Sequence, residues 1–166
     1  MEDNLRKSLL TICRLFEKYK VQYILIGGTA VALNGYFRLS MNVFGELSEK
    51  PDIDIWYNPT FENYFNMLEV IGELGQDIKE FKKEKSPNPR KSFFKLDFKD
   101  FTLDILPEIK AELKFRQADK RKETVELEEI QIHFLNFNDL IEDKKATARK
   151  KDLEDIEQLK KINGLE

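Results

Sequence analysis

The apolar residues of this chain recur at spacings that predict alternating helices and strands. Over residues 3–19 they lie three and four positions apart, on one face of a helix. The next apolar run, Tyr23–Ile26, is short and contains two β-branched isoleucines, which is typical of a strand buried on both faces. A short helix over 29–34, with Thr29 as its cap, is expected to follow.

The remaining spacings continue this alternation. Strand-like alternation recurs over 52–57, in both arms of a hairpin over 94–106 that turns at Lys99-Asp100, over 124–127 and over 130–134. Helix-like spacing recurs over 61–74, over 112–122, from Asn136 or Asn138 onward, and from near Asp152 onward. This order implies that the chain leaves a sheet after the strand over 52–57, forms the helix over 61–74, and then returns to the same sheet.

Length and charge narrow the classes of protein to consider. At 166 residues the chain is long enough for one domain with a sizeable core, and we expect 137–166 to form a helical annex packed on that domain. Its 28 basic and 31 acidic residues nearly cancel, to a net charge of -3. This balance gives no strong general attraction to nucleic acid, so a site for a polyanion must be local.

The sequence favours a cytoplasmic protein with no membrane partner. The uncharged run over 21–37 is too short and too polar to span a bilayer, and the acidic N-terminus is unlike a signal peptide. The single cysteine, Cys13, excludes an internal disulfide and is consistent with a reducing compartment. At a helical core position it is expected to act as a small buried apolar residue.

The first candidate site is the pair Gly27 and Gly28, which follows the first strand. Glycine permits positive φ angles and lets another group approach the backbone closely. The first N–H groups of the helix capped by Thr29 would suit a phosphate oxygen. A turn without a ligand is the common alternative for a glycine pair.

The second candidate site is the alternating segment Asp52-Ile53-Asp54-Ile55. A period of two places both carboxylates on one face of a strand and both isoleucines on the other, against the core. Neighbouring carboxylates repel each other unless a cation lies between them, and a hard ion with oxygen ligands such as Mg²⁺ suits them. The alternative is a plain solvated strand, because an Asp-x-Asp pair is common there.

Together the two sites favour one reaction class, the transfer of a nucleotidyl group from a nucleoside triphosphate. The metal ion spans the phosphates in such reactions and neutralises charge as the bond breaks. The order of strand, glycines, short helix, loop and Asp-x-Asp strand supports this class more than either motif alone.

Asp104 is a third candidate because it interrupts the apolar run over 103–106. In the predicted hairpin register it lies across from Lys95, on the face opposite the buried one. If its apolar neighbours nevertheless bury Asp104, the isolated carboxylate needs a partner. The sequence leaves two partners open, which are Lys95 and a metal ion shared with Asp52 and Asp54.

Two basic segments are candidates for contact with phosphates. Segment 79–95 is rich in lysine with interspersed phenylalanines, and a solvated loop is its common alternative. Segment 144–152 gathers Lys144, Arg149 and Lys151 at a helix junction, where phosphate binding and a solvated basic face are equally open. The only histidine, His133, has no second histidine or cysteine nearby, so a metal-ligand role is not expected for it.

Taken together, these stretches resemble the DNA polymerase β-type nucleotidyltransferase superfamily, in particular the small bacterial AbiEii-like and minimal nucleotidyltransferase proteins. The resemblance covers nearly the whole chain from Tyr23 onward. It rests on Ile26-Gly27-Gly28-Thr29-Ala30, Gly35-Tyr36-Phe37-Arg38, Asp52-Ile53-Asp54-Ile55-Trp56, Leu103-Asp104-Ile105-Leu106 and the tail over 140–156.

The resemblance implies an α+β fold in which helices flank a mixed central β-sheet. It also implies three groups of site residues, for the triphosphate, for Mg²⁺ or Mn²⁺, and for steadying the phosphates or the acceptor: Gly27, Gly28 and Thr29; Asp52, Asp54 and Asp104; and Lys144, Arg149 and Lys151. Asp104 would also help to activate the acceptor hydroxyl.

The chain departs from the family pattern in two places. The loop between Gly28 and Asp52 is several residues longer than usual, which leaves the role of Arg38 unassigned. The tail has Ala148 and Lys150 where glycine and proline are typical, and this would alter the bend between the last two helices.

The implied activity is metal-dependent transfer of a nucleoside monophosphate from a triphosphate, with ATP the first candidate, to an acceptor hydroxyl with release of pyrophosphate. Acceptors of similar proteins include tRNA ends, protein side chains and small molecules, and many similar bacterial proteins belong to toxin–antitoxin or phage-defence pairs. The alternative is a catalytically silent module that binds nucleotide or a cognate toxin or antitoxin. The intact carboxylates argue against that alternative.

Overall fold

Helices and strands alternate along the part of the chain that a computed structural model describes, which is residues 3–35, 40–41, 47–48 and 50–164, with only the backbone of 40–41 and 47–48. The helices are α1 (Asp3–Lys18), α2 (Gly27–Leu33), α3 (Phe61–Glu73), α4 (Lys79–Lys83), α5 (Phe115–Arg121), α6 (Phe137–Thr147) and α7 (Lys150–Ile162). The strands are β1 (Tyr23–Ile26), β2 (Ser40–Met41), β3 (Leu47–Ser48), β4 (Asp52–Tyr57), β5 (Phe94–Asp97), β6 (Thr102–Leu106), β7 (Glu123–Leu127) and β8 (Ile130–Phe134).

A mixed sheet of six strands lies at the centre, in the order β5-β6-β4-β1-β8-β7. β1 runs antiparallel to β4 and parallel to β8, and β4 runs parallel to β6. The β5–β6 and β7–β8 pairs are antiparallel. β2 and β3 pair with each other apart from this sheet. The predicted α+β fold with a mixed central sheet and flanking helices is confirmed.

Helices cover both faces of the sheet. Side chains of α1 and α3 form one apolar cluster with the sheet, and side chains of α2, α5, α6 and α7 form the other. β1 contributes to both, because Tyr23 and Leu25 belong to the first cluster and Ile24 and Ile26 to the second. The prediction of a strand buried on both faces is confirmed.

The alternation of β4 orients its carboxylates. Ile53 and Ile55 pack in the cluster of α1 and α3, whereas Trp56 packs in the opposite cluster. The Trp56 ring meets Phe115 edge-on at 5.4 Å between centroids, and its Nε1 donates to the Pro107 carbonyl oxygen over 3.2 Å. Because successive side chains alternate, Asp52 and Asp54 share the face of Trp56, as the sequence predicts.

The β5–β6 hairpin has the predicted register. Lys95 lies opposite Asp104, and Leu96 lies opposite Leu103. The strands β7 and β8 flank Glu128 and Glu129, which both have positive φ angles as residues of a tight turn. Both hairpins could be predicted because turn residues separate alternating segments in each.

Some local predictions are wrong. Thr29 does not cap α2, because Gly27 enters the helix directly and Ile26 is the N-cap residue. Thr29 is buried, and its hydroxyl donates to the backbone oxygen of Asp52 over 3.2 Å, which joins α2 to β4. The helical spacing of Tyr64, Phe65, Leu68 and Ile71 predicts that Phe65 points inward, but its side chain is 39% exposed.

Further features concern single residues and segments. Cys13 is fully buried, and burial raises its pKa to about 12, so the expected apolar role is confirmed. Arg38 lies outside the described residues, as does most of the long loop that contains it. No helix in the described ranges is long and apolar enough to cross a membrane.

Asn63 of α3 provides a test of how the helix is fastened to the sheet. This residue is 3% exposed, accepts a hydrogen bond from the Gln22 amide over 2.7 Å, and donates to the carbonyl oxygens of Gln22 and Asn58 over 2.9 Å each. We expect Asn63→Ala to lower the free energy of unfolding by about 2–4 kcal/mol, because it leaves buried backbone groups without partners. Urea denaturation measures the change.

The matched control is Asn66→Ala, one turn further along the same helix at a half-buried position. It should change the free energy of unfolding by less than about 0.5 kcal/mol. Equal losses for the two variants would contradict a specific role for the hydrogen bonds of Asn63.

Candidate active site

A cleft of about 1000 Å³ gathers residues that are far apart in sequence. The predicted site residues that line it are Gly27, Asp52, Asp54, Asp104, Lys144, Arg149 and Lys151. Gly28 and Thr29 are not among the described residues that line it. The cleft therefore joins the β1–α2 junction, the strands β4 and β6, and the helices α6 and α7.

The parallel pairing of β4 with β6 brings two carboxylates together. In this register Asp54 lies beside Asp104, and Asp52 lies beside Thr102. Neighbouring strands are about 4.8 Å apart, so paired side chains on one face are in contact range. Asp54 and Asp104 are thus fifty positions apart in sequence but on neighbouring strands of the sheet.

Gly27 is required where Asp54 approaches the backbone. Its φ is +61°, in the left-handed region that favours glycine. A Cβ atom added there would lie 2.3 Å from Oδ2 of Asp54. The predicted positive φ and the predicted close approach of another group are both present, and the approaching group is a carboxylate of the same site.

Burial and repulsion perturb the two adjacent carboxyl groups. Burial, followed by the charges of Asp104 and Asp52, raises the pKa of Asp54 to about 7, against the opposing charges of Lys144 and Lys151. Burial also raises the pKa of Asp104, which the charge of Lys95 opposes. A hydrogen bond from Asp54 stabilises the Asp104 carboxylate. The pair therefore tends to share a proton near neutral pH.

Asp52 is oriented differently from this pair. It is exposed, and its Oδ1 accepts a hydrogen bond from the hydroxyl of Thr102. Within the described ranges, no group of three or more His, Cys, Asp or Glu side chains is arranged to hold a metal ion as it stands. The three aspartates predicted to bind metal are thus neighbours on β4 and β6, with Asp52 hydrogen bonded to Thr102, and their metal role stays a prediction.

The donor chemistry of the pair fits a hard divalent cation. Asp54 and Asp104 supply adjacent carboxylate oxygens, the ligand type that Mg²⁺ prefers. Burial and the charges of Asp104 and Asp52 raise the pKa of Asp54, so a charge on Asp54 beside Asp104 is disfavoured without a cation. A divalent ion would remove that repulsion.

Lys144 lies at the junction of α6 and α7 and is almost fully buried. Its Nζ is 3.2 Å from Oδ1 of Asp152 and 3.2 Å from Oδ2 of Asp155. Both aspartates have fully buried side chains. The Lys144 ammonium is thus engaged by two carboxylates, and its field reaches Asp54 from within the protein.

Arg149 shares one of these aspartates. Its Nε donates to Oδ2 of Asp152 over 2.7 Å and its terminal nitrogen to Oδ1 over 3.2 Å. Burial raises the pKa of Asp152, but hydrogen bonds from Arg149, Thr147 and Lys144 together bring it below its usual range. Asp152 is therefore a permanent anion that fixes both cations.

Sequence reasoning missed the acidic half of this cluster. Asp152 and Asp155 are three positions apart on α7, which places them on one helix face. A third aspartate, Asp143 of α6, accepts hydrogen bonds from the backbone amides of Lys110 and Ala111 over 3.0 and 3.4 Å. The spacing of Asp152 and Asp155 was the available signal, but it does not reveal which cation they face.

A comparison of two glycines tests the close approach at Gly27. We expect Gly27→Ala to destabilise the fold by several kcal/mol, since it adds both backbone strain and a clash with Asp54. Gly75→Ala is the matched control, because Gly75 has φ +105° and no atom within 4 Å of the added Cβ. Its expected loss is about 1 kcal/mol. Similar losses in thermal denaturation would contradict the contact with Asp54.

The raised pKa of Asp54 predicts how stability varies with pH. The folded state holds this proton more tightly than the unfolded state, so its contribution is complete below about pH 4. It is lost as the pH rises through about 7. In the absence of divalent cations, Asp54→Asn should therefore be more stable than the wild type at pH 8, by roughly 1–4 kcal/mol, with little difference at pH 4.

Urea denaturation at both pH values measures this effect. Asp100→Asn removes one carboxylate at an exposed turn and controls for net charge. A constant difference between wild type and Asp54→Asn across the pH range would show that the Asp54 carboxyl group is not perturbed.

Comparison with known proteins supports the fold. No protein-family model matches the chain, and no curated protein matches it significantly. A nucleotidyltransferase-like antigenic protein from Paracoccidioides brasiliensis is similar in structure, with TM-score 0.55 and 11% identity, over 97% of this chain and 77% of that one. A candidate nucleotidyltransferase from Thermotoga maritima has TM-score 0.55 and 18% identity, over 95% of this chain and 91% of that one. The chain therefore has a nucleotidyltransferase-like fold.

Proposed function

We propose that this chain is a metal-dependent nucleotidyltransferase that moves a nucleoside monophosphate from a nucleoside triphosphate, ATP being the first candidate, to an acceptor hydroxyl. The observation that carries the proposal is the pairing of Asp54 with Asp104 on parallel strands, against the backbone of Gly27. The similarity of the fold to nucleotidyltransferase-like structures supports it.

The carboxylates would hold Mg²⁺ or Mn²⁺. Asp54 and Asp104 would supply oxygen ligands from adjacent strands, and Asp52 would join them after its carboxylate leaves the hydroxyl of Thr102. The ion would supply charge neutralisation on the triphosphate.

The cations of α6 and α7 would act on the phosphates. Arg149 and Lys151 line the cleft, and both have exposed side chains. Since Asp152 holds the Arg149 guanidinium, this group would meet the triphosphate in a fixed orientation. Lys144 would contribute mainly through its field, because two aspartates already engage its ammonium.

The proposed reaction forms one bond and breaks one. The acceptor oxygen bonds to the α-phosphorus while the bond from that phosphorus to the oxygen bridging it to the β-phosphorus breaks. Pyrophosphate leaves with the bridging oxygen and its electron pair. Asp104 would accept the proton of the acceptor hydroxyl, a task suited to a carboxylate with a raised pKa.

A catalytically silent binding module of the same fold is the second candidate. The bond between Thr102 and Asp52 favours it, because the described residues then offer no closed set of three metal ligands. On the sequence resemblance alone, we also place either function in the bacterial cytoplasm, in a toxin–antitoxin or phage-defence pair with a cognate protein. Co-purification with the product of a neighbouring gene would support that setting.

Transfer of label tests the activity. The protein is incubated with Mg²⁺ and a panel of α-labelled nucleoside triphosphates, together with total cellular RNA and protein. We expect wild-type protein to label one fraction and Asp54→Asn to lose at least about 100-fold in rate, because the variant removes a charge from the reacting site. Asp100→Asn should transfer label like the wild type.

Asp54→Asn is expected to be stable, so its loss of transfer cannot be assigned to unfolding. Label that persists in Asp54→Asn would contradict the role of the carboxylate pair. Binding of the triphosphate without transfer to any fraction would favour the silent module.

A further inference from the structure

A second group of cations lines the same cleft as the carboxylates and has no role in the proposal above. Arg90, Lys91 and Phe93 belong to the segment between α4 and β5, and Lys95 lies in β5. The sequence left this segment open as either a solvated loop or a polyanion contact. Its packing distinguishes the two.

Hydrogen bonding to a tyrosine of β4 holds the backbone of this segment in place. The buried hydroxyl of Tyr57 lies 2.6 Å from the carbonyl oxygen of Pro89 and 2.7 Å from that of Ser92. Residues Pro89–Lys91 form a 3₁₀ turn, and the Ser92 hydroxyl donates to the Asn88 carbonyl oxygen over 2.7 Å. The backbone that carries Arg90 and Lys91 is therefore anchored to β4, unlike that of a solvated loop.

Phe93 at the end of this segment and Phe94 at the start of β5 have opposite environments. Phe94 is buried and contacts the rings of Tyr64 and Phe81, with centroids 6.0 and 5.4 Å away. Phe93 is 59% exposed and lines the cleft. An exposed aromatic ring on an anchored backbone offers a flat surface on which a base can stack.

The cationic surface continues beyond the cleft. An adjoining groove of about 360 Å³ shares Arg90 with it and is also lined by Lys114 and Arg116. Arg90, Lys114 and Arg116 are exposed, and no ion pair involves them within the described part of the chain. One acid, Glu108, lies on both walls. We call Arg90, Lys91, Phe93, Lys114 and Arg116 the basic path.

The cations of the basic path extend over a longer surface than one nucleoside triphosphate would contact. Arg149 and Lys151 already face the carboxylates from α6 and α7, so a single nucleotide would leave the adjoining groove unused. An anion that extends through both grooves is a polymer. Regular negative charge together with flat apolar groups describes a polynucleotide, whereas an acidic peptide would match the cations but not Phe93.

We propose that the basic path binds a single-stranded polynucleotide and directs its terminal hydroxyl toward Asp104. The phosphates contact Arg90 and Arg116, and one base stacks on Phe93. A single strand fits because a duplex keeps its bases stacked inside and gives Phe93 no free face. The role as acceptor rests on the proposed nucleotidyltransferase function, but the binding itself does not require a triphosphate.

Fluorescence anisotropy with labelled single-stranded oligonucleotides tests the basic path without any nucleoside triphosphate. Affinity is measured over a range of salt concentrations for the wild type and three variants. Arg90→Ala and Arg116→Ala should each lower the slope of log K against log salt by about one, because each removes one phosphate contact. Phe93→Ala should weaken binding by roughly ten-fold and leave the slope unchanged, since it removes stacking but no charge.

Two matched controls lie elsewhere on the surface. Arg14 is an exposed arginine of α1, on the opposite side of the sheet, and Phe61 is 61% exposed on α3. Arg14→Ala and Phe61→Ala should bind like the wild type. Parallel titrations with an oligoribonucleotide and an oligodeoxyribonucleotide of the same sequence show which sugar is preferred.

The proposal is overturned if the wild type binds neither oligonucleotide, or if the path variants behave like their controls. Tighter binding of polyglutamate than of either oligonucleotide, unaffected by Phe93→Ala, would point to an acidic protein and also overturn it. Asp54→Asn separates the two proposals, because it should retain oligonucleotide binding while losing label transfer. If the wild type binds oligonucleotides but transfers no label, the proposed enzyme activity is contradicted and the basic path is supported. If the wild type transfers label to the protein fraction but binds no oligonucleotide, the basic path is contradicted and the enzyme activity is supported.

Discussion

Repulsion between two adjacent carboxyl groups is the constraint on which the rest of this structure depends. The register of parallel strands pairs Asp54 with Asp104, so their backbone positions are fixed side by side in the centre of the sheet. Position 27 is a glycine, and a Cβ atom there would clash with the Asp54 carboxylate. Burial and mutual charge keep Asp54 partly protonated near neutral pH. Such an arrangement is unfavourable for folding, and perturbed carboxyl groups of this kind are typical of functional sites.

The surrounding charges are ordered around this pair. On one side, Lys144 is held by Asp152 and Asp155, and Arg149 is held by Asp152, so carboxylates orient both cations beside the pair. On the other side, Lys95 lies across from Asp104, followed by the cations of the basic path. A net charge of -3 therefore does not prevent cations from clustering locally, as they do along the basic path. Under the proposal above, a polyanion would bind at this place and not over the whole surface.

Much of the fold follows from the sequence because its signals are local. The alternation of β4, the two turn-separated hairpins and the four apolar residues of β1 each predict one element without knowledge of the others. The shared face of Asp52 and Asp54 was also predictable from the period of two, whereas the pairing of Asp54 with Asp104 depends on the parallel register of β4 and β6, which the sequence left open. The side chains that depend on distant partners were not predictable. The contact of Lys144 with Asp152 and Asp155 needs the packing of α6 on α7, and the burial of Thr29 needs the approach of α2 to β4.

The binding of a nucleoside triphosphate with and without Mg²⁺, measured by calorimetry, tests the central claim most directly. If Asp54 and Asp104 form a metal-dependent triphosphate site, the wild type should bind at least ten-fold more tightly with Mg²⁺ than with a chelator, and Asp54→Asn should lose this difference. Equal affinity in both conditions, or the same gain in Asp54→Asn, would show that the carboxylate pair does not hold the ion.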